Sequence, residues 1–487
     1  MTTAVAGTPL LNVVDYALHP RSVAVIGAST NRDREWKVGW VGRLVRFGYE
    51  GNVYPINPKA TQILGYKAYP SVTAVPEPID YAIISVPRER VSAVLRECVA
   101  KGVKVVHVFT AGFAETGTPE GRALQEELAA AVQGGTTRLI GPNCMGIYSP
   151  SGKLTFDVRF PQDTGGIAFI SQTGVGGRRL MNLATSRGLR FSSAVSYGNA
   201  LDLSTNDFLE YAVCDPATRY ILLYIEGLTD GRRLFELLRG VTLQKPVVLL
   251  KAGLSESGAG AVASHTASLA GSRKVWQAMF RQTGAIPVET LEEAVEQLIA
   301  VRSVRPIGGR RVALVGRGGG LGVVATDLCE REGLKVPALT AETREQLAQI
   351  AAADAGSMIR NPVEIGLNAD GISDAYLPGL RTVASDPNVD MVVTFLNPED
   401  YLAYGMTNWI DDLTGSLIAA GHTLPKPFAA VMLPGPSTQT MEANLAIMQQ
   451  CTAAGVACFP SLDVALRAMS KLARYQEFRR SRTEEES

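Results

Sequence analysis

His265 is the residue whose setting suits chemistry on phosphate. It lies in SESGAGAVASHTASLAGS, residues 255–272, a run of small residues immediately before a helical pattern. Gly, Ala and Ser let a backbone approach a ligand closely and move, and a helix start offers unpaired N–H groups that favour phosphate. The stretch therefore predicts a mobile loop with a phosphate-handling histidine. A surface linker that happens to contain a histidine has the same composition, so neighbouring motifs must decide between the two.

Residues 167–170 form an apolar run followed by SQTGVGGRR. Hydroxyls, an amide and glycines at a strand-to-helix turn make an anion cradle, here of Ser171, Gln172, Thr173 and Gly174. The strand at 221–225 stops at Glu226, at the carboxyl edge where a catalytic residue is expected. A helix-cap partner or a surface charge would fit Glu226 equally. The strand at 246–250 leads through Lys251 into the histidine stretch, so the cradle, Glu226 and His265 lie on connections at one edge of one sheet. Another glycine turn, GRGGGLG at 316–322, follows the strand at 311–315 and opens a helix. It places Gly318, Gly319 and Gly320 where backbone N–H groups bind phosphate.

The elements that position these residues repeat one pattern. SVAVI at 22–26 ends at Gly27-Ala28-Ser29, and a helical pattern follows, which is the opening of a nucleotide-binding βα unit. The fingerprint GxGxxG is absent, and the next strand, 52–56, ends at Asn57-Pro58-Lys59 where an NAD ribose would want an acid. Lys59 would suit a phosphorylated ribose, which keeps an NADP-dependent oxidoreductase open; it would also suit solvent. Strands at 81–85, 104–109 and 138–140 end in SVPRER, TAGFAETG and GPNCMG, three punctuated loops that mark one crevice. A helical pattern at 291–304, a linker at 305–309, the loop NPVE at 361–364 and strands at 391–395 and 428–432 complete the pattern. The fold class is α/β, with three doubly wound domains, and the charged tail RRSRTEEES is expected to be disordered.

Composition excludes several classes. The 487 residues carry 47 basic and 47 acidic side chains, so no nucleic-acid footprint is present and the partner is a small or locally guided ligand. No 18 apolar residues run uninterrupted and the N-terminus lacks a basic, then apolar, leader; a soluble cytoplasmic protein without a membrane contact is expected. The six cysteines show no CxxC spacing, HExxH and GxSxG are absent, and GIYSPSGKL at 146–154 is one residue too long for a P-loop. No metal site is expected. Cys144, in a Gly/Pro/Asn loop, is set apart from the others.

With these loops in place, the sequence resembles the α subunit of the NDP-forming (ADP-forming) acyl-CoA synthetases, relatives of succinyl-CoA synthetase. The landmarks run in the family's order over residues 10–475: VIGAS, INPK, SVP, TAGFAE, GPNCMG, SQTG, SYGN with LEYAVCDP, LYIE, SHTASLAGS and GRGGGLG. The resemblance implies a CoA-binding Rossmann-like domain at 1–145, a flavodoxin-like domain with the histidine at 146–305, a second flavodoxin-like domain at 306–478 and the tail at 479–487. It implies the reversible reaction of a carboxylic acid, CoA and ATP to acyl-CoA, ADP and phosphate, through an acyl phosphate and a phosphohistidine. By similarity His265 is phosphorylated and Glu226 orients it. Gly27, Ser29, Asn57, Lys59, Ser85, Val86 and Pro87 fall in the motifs of the CoA site. Asn143, Ser171, Gln172, Thr173, Gly174 and the glycines at 318–320 fall in the phosphate sites, the last at a second helix facing the phosphohistidine. No ATP-grasp-like segment occurs, so the resemblance implies an ATP-grasp β subunit holding ATP or ADP with Mg2+, in an α2β2 assembly. Departures are Thr173 for Ser, Ala267 for Gly and Arg317 for Asn or Ser. A chain that binds CoA without catalysis remains the alternative.

Overall fold

A computed structural model describes residues 9–266, 271–350, 359–365, 373–403, 405 and 408–486. The chain divides into two compact units, residues 1–185 with 190–289 and residues 186–189 with 290–487. The first unit contains two of the three large sheets, so the first two expected domains share one unit.

The first sheet comprises β1 (Ser22–Ile26), β2 (Asn52–Ile56), β5 (Tyr81–Ile84), β6 (Val105–Val108) and β7 (Arg138–Ile140), with a small hairpin, β3 (Gln62–Ile63) and β4 (Tyr66–Lys67), set after β2. The order is β2-β1-β5-β6-β7 and every pairing is parallel. These strands are almost wholly buried, because helices cover both faces of a parallel sheet, and they read in sequence as largely apolar runs. The order reverses beside β1, which puts a crevice at the carboxyl ends of β1 and β5.

The second sheet runs β13-β12-β11-β9-β10-β8, from β8 (Gly146–Tyr148), β9 (Ile167–Ser171), β10 (Phe191–Ser196), β11 (Tyr220–Ile225), β12 (Val247–Lys251) and β13 (Ile286–Val288). Its strands are parallel except β8, which pairs antiparallel with β10. That edge strand was not anticipated. It gives the GPNCMG loop an anchor in each sheet, β7 before it and β8 after it. Residues 199–203 run alongside the loop, with Asn199 N–H donating to the Pro142 carbonyl at 3.0 Å and Leu203 N–H to that of Leu139 at 3.1 Å.

The second unit holds β14 (Val312–Gly316), β15 (Val363–Glu364), β16 (Met391–Leu396), β17 (Phe428–Met432) and β18 (Ala457–Phe459), all parallel in the order β15-β14-β16-β17-β18. Its core is an aliphatic cluster including Leu380, Leu413, Leu417 and Ile447. The helix Leu291–Ser303, expected in the second domain, belongs to the second compact unit, where it packs against the helix Leu462–Glu486. The tail expected to be disordered continues that last helix to Glu486. Arg479 and Arg482 lie over the Tyr475 and Phe478 rings four residues back, and Arg480 reaches across to donate to the Gly308 carbonyl at 3.1 Å. Contacts three and four residues apart support a helix that charge content alone argues against.

Candidate active site

The turn after β1 is built by close backbone approach. Gly27 has φ +92°, and a Cβ on it would stand 2.4 Å from the Ser85 carbonyl oxygen, so only glycine lets the ends of β1 and β5 meet. Asn57 Nδ2 donates to the Ala28 carbonyl at 2.8 Å, fastening the end of β2 to the same turn. Ser29 N–H donates to Glu35 Oε2 at 2.7 Å, and Val41 N–H donates to Glu35 Oε1 at 2.9 Å. Glu35 is thus a buried carboxylate that organises the loop, a role invisible in a polar stretch of sequence. A cavity of about 530 Å³ opens here, lined by Gly27, Ser29, Arg34, Arg43, Asn57 and Ser85 among others. Arg43 lies 4.4 Å from the Trp40 ring centroid, and its Nη1 is buried with no hydrogen-bond partner among the described residues. A second cavity of about 770 Å³ shares Ser29 and Thr30 with the first and extends past Trp36 to the β3–β4 hairpin. Lys59 is exposed and lines neither cavity; its N–H donates to Asn57 Oδ1 at 2.8 Å. Pro87 caps the helix Arg88–Lys101 and also lines neither.

A third cavity, of about 430 Å³, shares Ser85 and Phe109 with the first. Val86, Asn143, Gln172, Thr173 and Gly174 all line it, so residues from the two expected sites share one space. Asn143 takes φ +58°, a left-handed conformation that Asn tolerates. It is held by its N–H to the Thr110 carbonyl at 3.0 Å, while Met145 N–H donates to Ser196 Oγ at 3.1 Å. Beneath the loop, buried His107 donates from Nε2 to the Cys144 carbonyl at 3.1 Å. Burial pulls this imidazole down to about 4, against the pull of that hydrogen bond, so it is neutral near pH 7. Burial pushes the Cys144 thiol up, and its Sγ contacts the Val108 carbonyl at 3.6 Å, which makes it a packed thiol and a poor nucleophile.

Of the SQTG residues, Ser171 is buried behind the turn, its Oγ donating to the Thr173 carbonyl at 2.8 Å. The Gln172 carboxamide is used internally: its Oε1 accepts from the N–H groups of Glu226 at 2.8 Å and Gly227 at 2.9 Å. Gly174 packs against Met145. Glu226 is buried at the end of β11, and both burial and its carboxylate push the neighbouring Tyr224 phenol up to about 12, through charge and a side-chain hydrogen bond. Lys251, opposite Ile225 in register, donates from Nζ to the Glu226 carbonyl at 2.7 Å. Burial lowers this ammonium to about 8, with Glu226 opposing the shift. A lysine ending the apolar run VVLLK was the available signal for it.

The histidine stretch departs from the expected loop. Residues Glu256–Thr266 form a helix, with Gly258 N–H donating to Ser255 Oγ at 3.1 Å at its start, and His265 stands in its last turn. Alanines give this run high helix propensity, and the serine before it supplies a cap. The helix lies against the 114–116 turn of the TAGFAETG loop. The next helix, Arg273–Thr283, begins after Ser272. The His265 imidazole and residues 267–270, including Ala267, lie outside the described residues, and so does the expected pairing of Glu226 with the imidazole.

In the second unit, Gly318 takes φ +94° ahead of the helix Gly319–Arg331. Its N–H donates to Glu364 Oε1 at 2.8 Å, so a carboxylate of the chain engages the turn expected to bind phosphate. Arg317 is exposed, and its charge pulls down the Tyr401 phenol, which burial pushes up to about 12. Among the described residues no group of three His, Cys, Asp or Glu is arranged to hold a metal, and no helix is long and apolar enough to cross a membrane.

Doubly wound sheets with a crevice opening beside a glycine turn at the strand ends define a nucleotide-type ligand fold. Residues 21–150 match the family described as CoA binding domain, and residues 164–300 match the succinyl-CoA ligase like flavodoxin domain. The α subunit of acetate–CoA ligase [ADP-forming] II of Pyrococcus furiosus is 39% identical over 382 residues, 78% of this chain and 82% of that one. Acetate–CoA ligase [ADP-forming] I of Archaeoglobus fulgidus is 36% identical over 94% of this chain, which spans 63% of that longer protein. Among solved structures, the dinucleotide-forming acetyl-coenzyme A synthetase 1 of Ca. Korarchaeum cryptofilum, in complex with phosphate and ADP, aligns with a TM-score of 0.79 at 31% identity, over 97% of this chain and 99% of that one. The chain belongs to the ADP-forming acyl-CoA ligases of the succinyl-CoA ligase superfamily, as an α-subunit-type chain.

Proposed function

We propose that this chain binds CoA along the three connected cavities and carries the phosphoryl group on His265. The observation that carries the reading is their continuity: shared Ser29 and Thr30, then shared Ser85 and Phe109, join the hairpin to the turn beside Glu226. The residues present suit a long anionic ligand, since Gly27 lets backbone approach closely and the Arg43 Nη1 is a buried donor awaiting an acceptor. CoA supplies the thiol that exchanges with phosphate for the acyl group. The chain orients the acyl phosphate with backbone N–H groups at residues 173–174 and with Asn143. A ring nitrogen of neutral His265 then attacks phosphorus, and the carboxylate leaves with the bridging oxygen and its electron pair. Glu226 accepts the N–H of the other ring nitrogen, fixes the tautomer and stabilises the developing imidazolium. His265 and the turn at 172–174 both belong to this chain, so it forms phosphohistidine from acyl-CoA and phosphate without a partner.

The acid is a small carboxylic acid, in keeping with the acetate in the relatives' names. A separate β subunit of ATP-grasp type, in an α2β2 assembly, holds ADP with Mg2+ and takes the phosphoryl group, and the reaction takes place in the cytoplasm. The Archaeoglobus relative is longer, and this chain spans 63% of it, which leaves room in that protein for the part supplied separately here. Incubating the full chain with labelled phosphate and acetyl-CoA or other short acyl-CoAs is expected to give acid-labile, base-stable label. H265N abolishes it, and E226Q slows it about 100-fold, within the range for losing a group that assists proton placement. A wild-type chain that takes no label with any acyl-CoA, when the partner complex labels readily, overturns unaided phosphorylation; CoA binding without label in that complex would mark a chain that binds without catalysis.

A further inference from the structure

Both backbone polar groups of Glu226 are engaged by side chains. Gln172 Oε1 takes its N–H at 2.8 Å, together with that of Gly227, and Lys251 Nζ gives to its carbonyl at 2.7 Å. Lys251 also donates to the Ala252 carbonyl, and its Nζ lies 5.4 Å from the Trp276 ring centroid. Trp276 belongs to Arg273–Thr283, the helix that follows the histidine segment. Lys251 therefore touches the end of β11, the end of β12 and the element beyond His265 at once. The rest of β12, VVLL, is apolar and buried, and an apolar side chain at 251 would continue the strand without burying an ammonium. The charge also acts favourably on the Glu226 carboxylate.

We propose that Lys251 is a positioning residue for phosphoryl transfer, fixing the strand-end backbone of Glu226 and placing a positive charge beside it. This rests on the phosphohistidine reading of His265. The test uses the full chain and measures label transferred to His265 from phosphate and acetyl-CoA, with kcat and KM determined for the complete reaction in complex with the β subunit. Substituting Lys251→Met is expected to lower kcat and the labelling rate about 10-fold or more, as for losing a hydrogen bond to a charged group, with KM for CoA and acid within about 2-fold. Because Lys251 acts through Glu226, adding K251M to E226Q produces little further loss. Should K251M fail to fold, K251Q, which keeps a donor and loses the charge, is read the same way. Wild-type kcat in either folded variant, or losses that multiply in the double variant, overturns the inference. Absence of label on the wild type, alone and with the β subunit, would instead overturn the phosphohistidine reading on which it stands.

Discussion

Arg43 brings its Nη1 into the wall of the cavity beyond Gly27 with no partner among the described residues, and an anion would complete that arrangement. If the anion belongs to CoA, R43M raises KM for CoA about 10-fold, the usual scale for one charge-assisted hydrogen bond, and leaves kcat alone. Initial rates against CoA concentration check this; an unchanged KM would mean that the ligand runs elsewhere. His107 makes a different claim. Its imidazole, held at about 4 by burial, binds fewer protons folded than unfolded between pH 6.5 and 4. Its contribution is therefore fully present above pH 6.5 and is lost as the pH falls towards 4, by about 3 kcal/mol in all. Thermal midpoints of wild type and H107Q across that range are expected to converge as the pH falls. Neither residue was legible in sequence. Arginines in a helical stretch and a histidine inside a strand have ordinary explanations, and only the packing around Trp40 and beneath Cys144 separates them from those.

The strands were legible because parallel strands buried on both faces must be continuous apolar runs, and their loops because the chain has to turn there. The histidine helix was not. A run of Ala, Gly and Ser satisfies the composition of a mobile loop and the propensity of a helix alike, and in the folded chain Ser255 caps it as a helix. The two readings can be separated within this element. A Cβ on Gly260 meets nothing within 4 Å, so G260A fits the helix and stabilises it by about 1 kcal/mol. If the phosphoryl group travels with this segment, G260A retains wild-type labelling of His265 but is discharged more slowly when ADP and the β subunit are added. Quench-flow of the discharge step measures it, and equal rates would mean that the helix does not loosen. The charged tail was misjudged for a related reason: composition describes residues one at a time, whereas Arg479 and Arg482 find their partners four residues back.

One winding occurs three times along the chain. Around β1, β9 and β14 the parallel strands follow the same succession, and each of these strands ends in a turn of small residues. Fold and family were open to sequence reading because that repetition writes its motifs in order. What the repetition does not reveal is how the copies differ. After β1, the Ser29 N–H rests on Glu35; after β14, the Gly318 N–H rests on Glu364. After β9, among the described residues, no carboxylate accepts from the backbone of 172–174; the acidic Glu226 is instead tied back by its own main chain to Gln172. Two of the three turns thus hold a decoy, a resident negative charge that an incoming anion would have to displace. The copies differ in which of them supplies its own counter-charge, and among the described residues the β9 copy is the one whose turn holds no carboxylate on its backbone N–H groups.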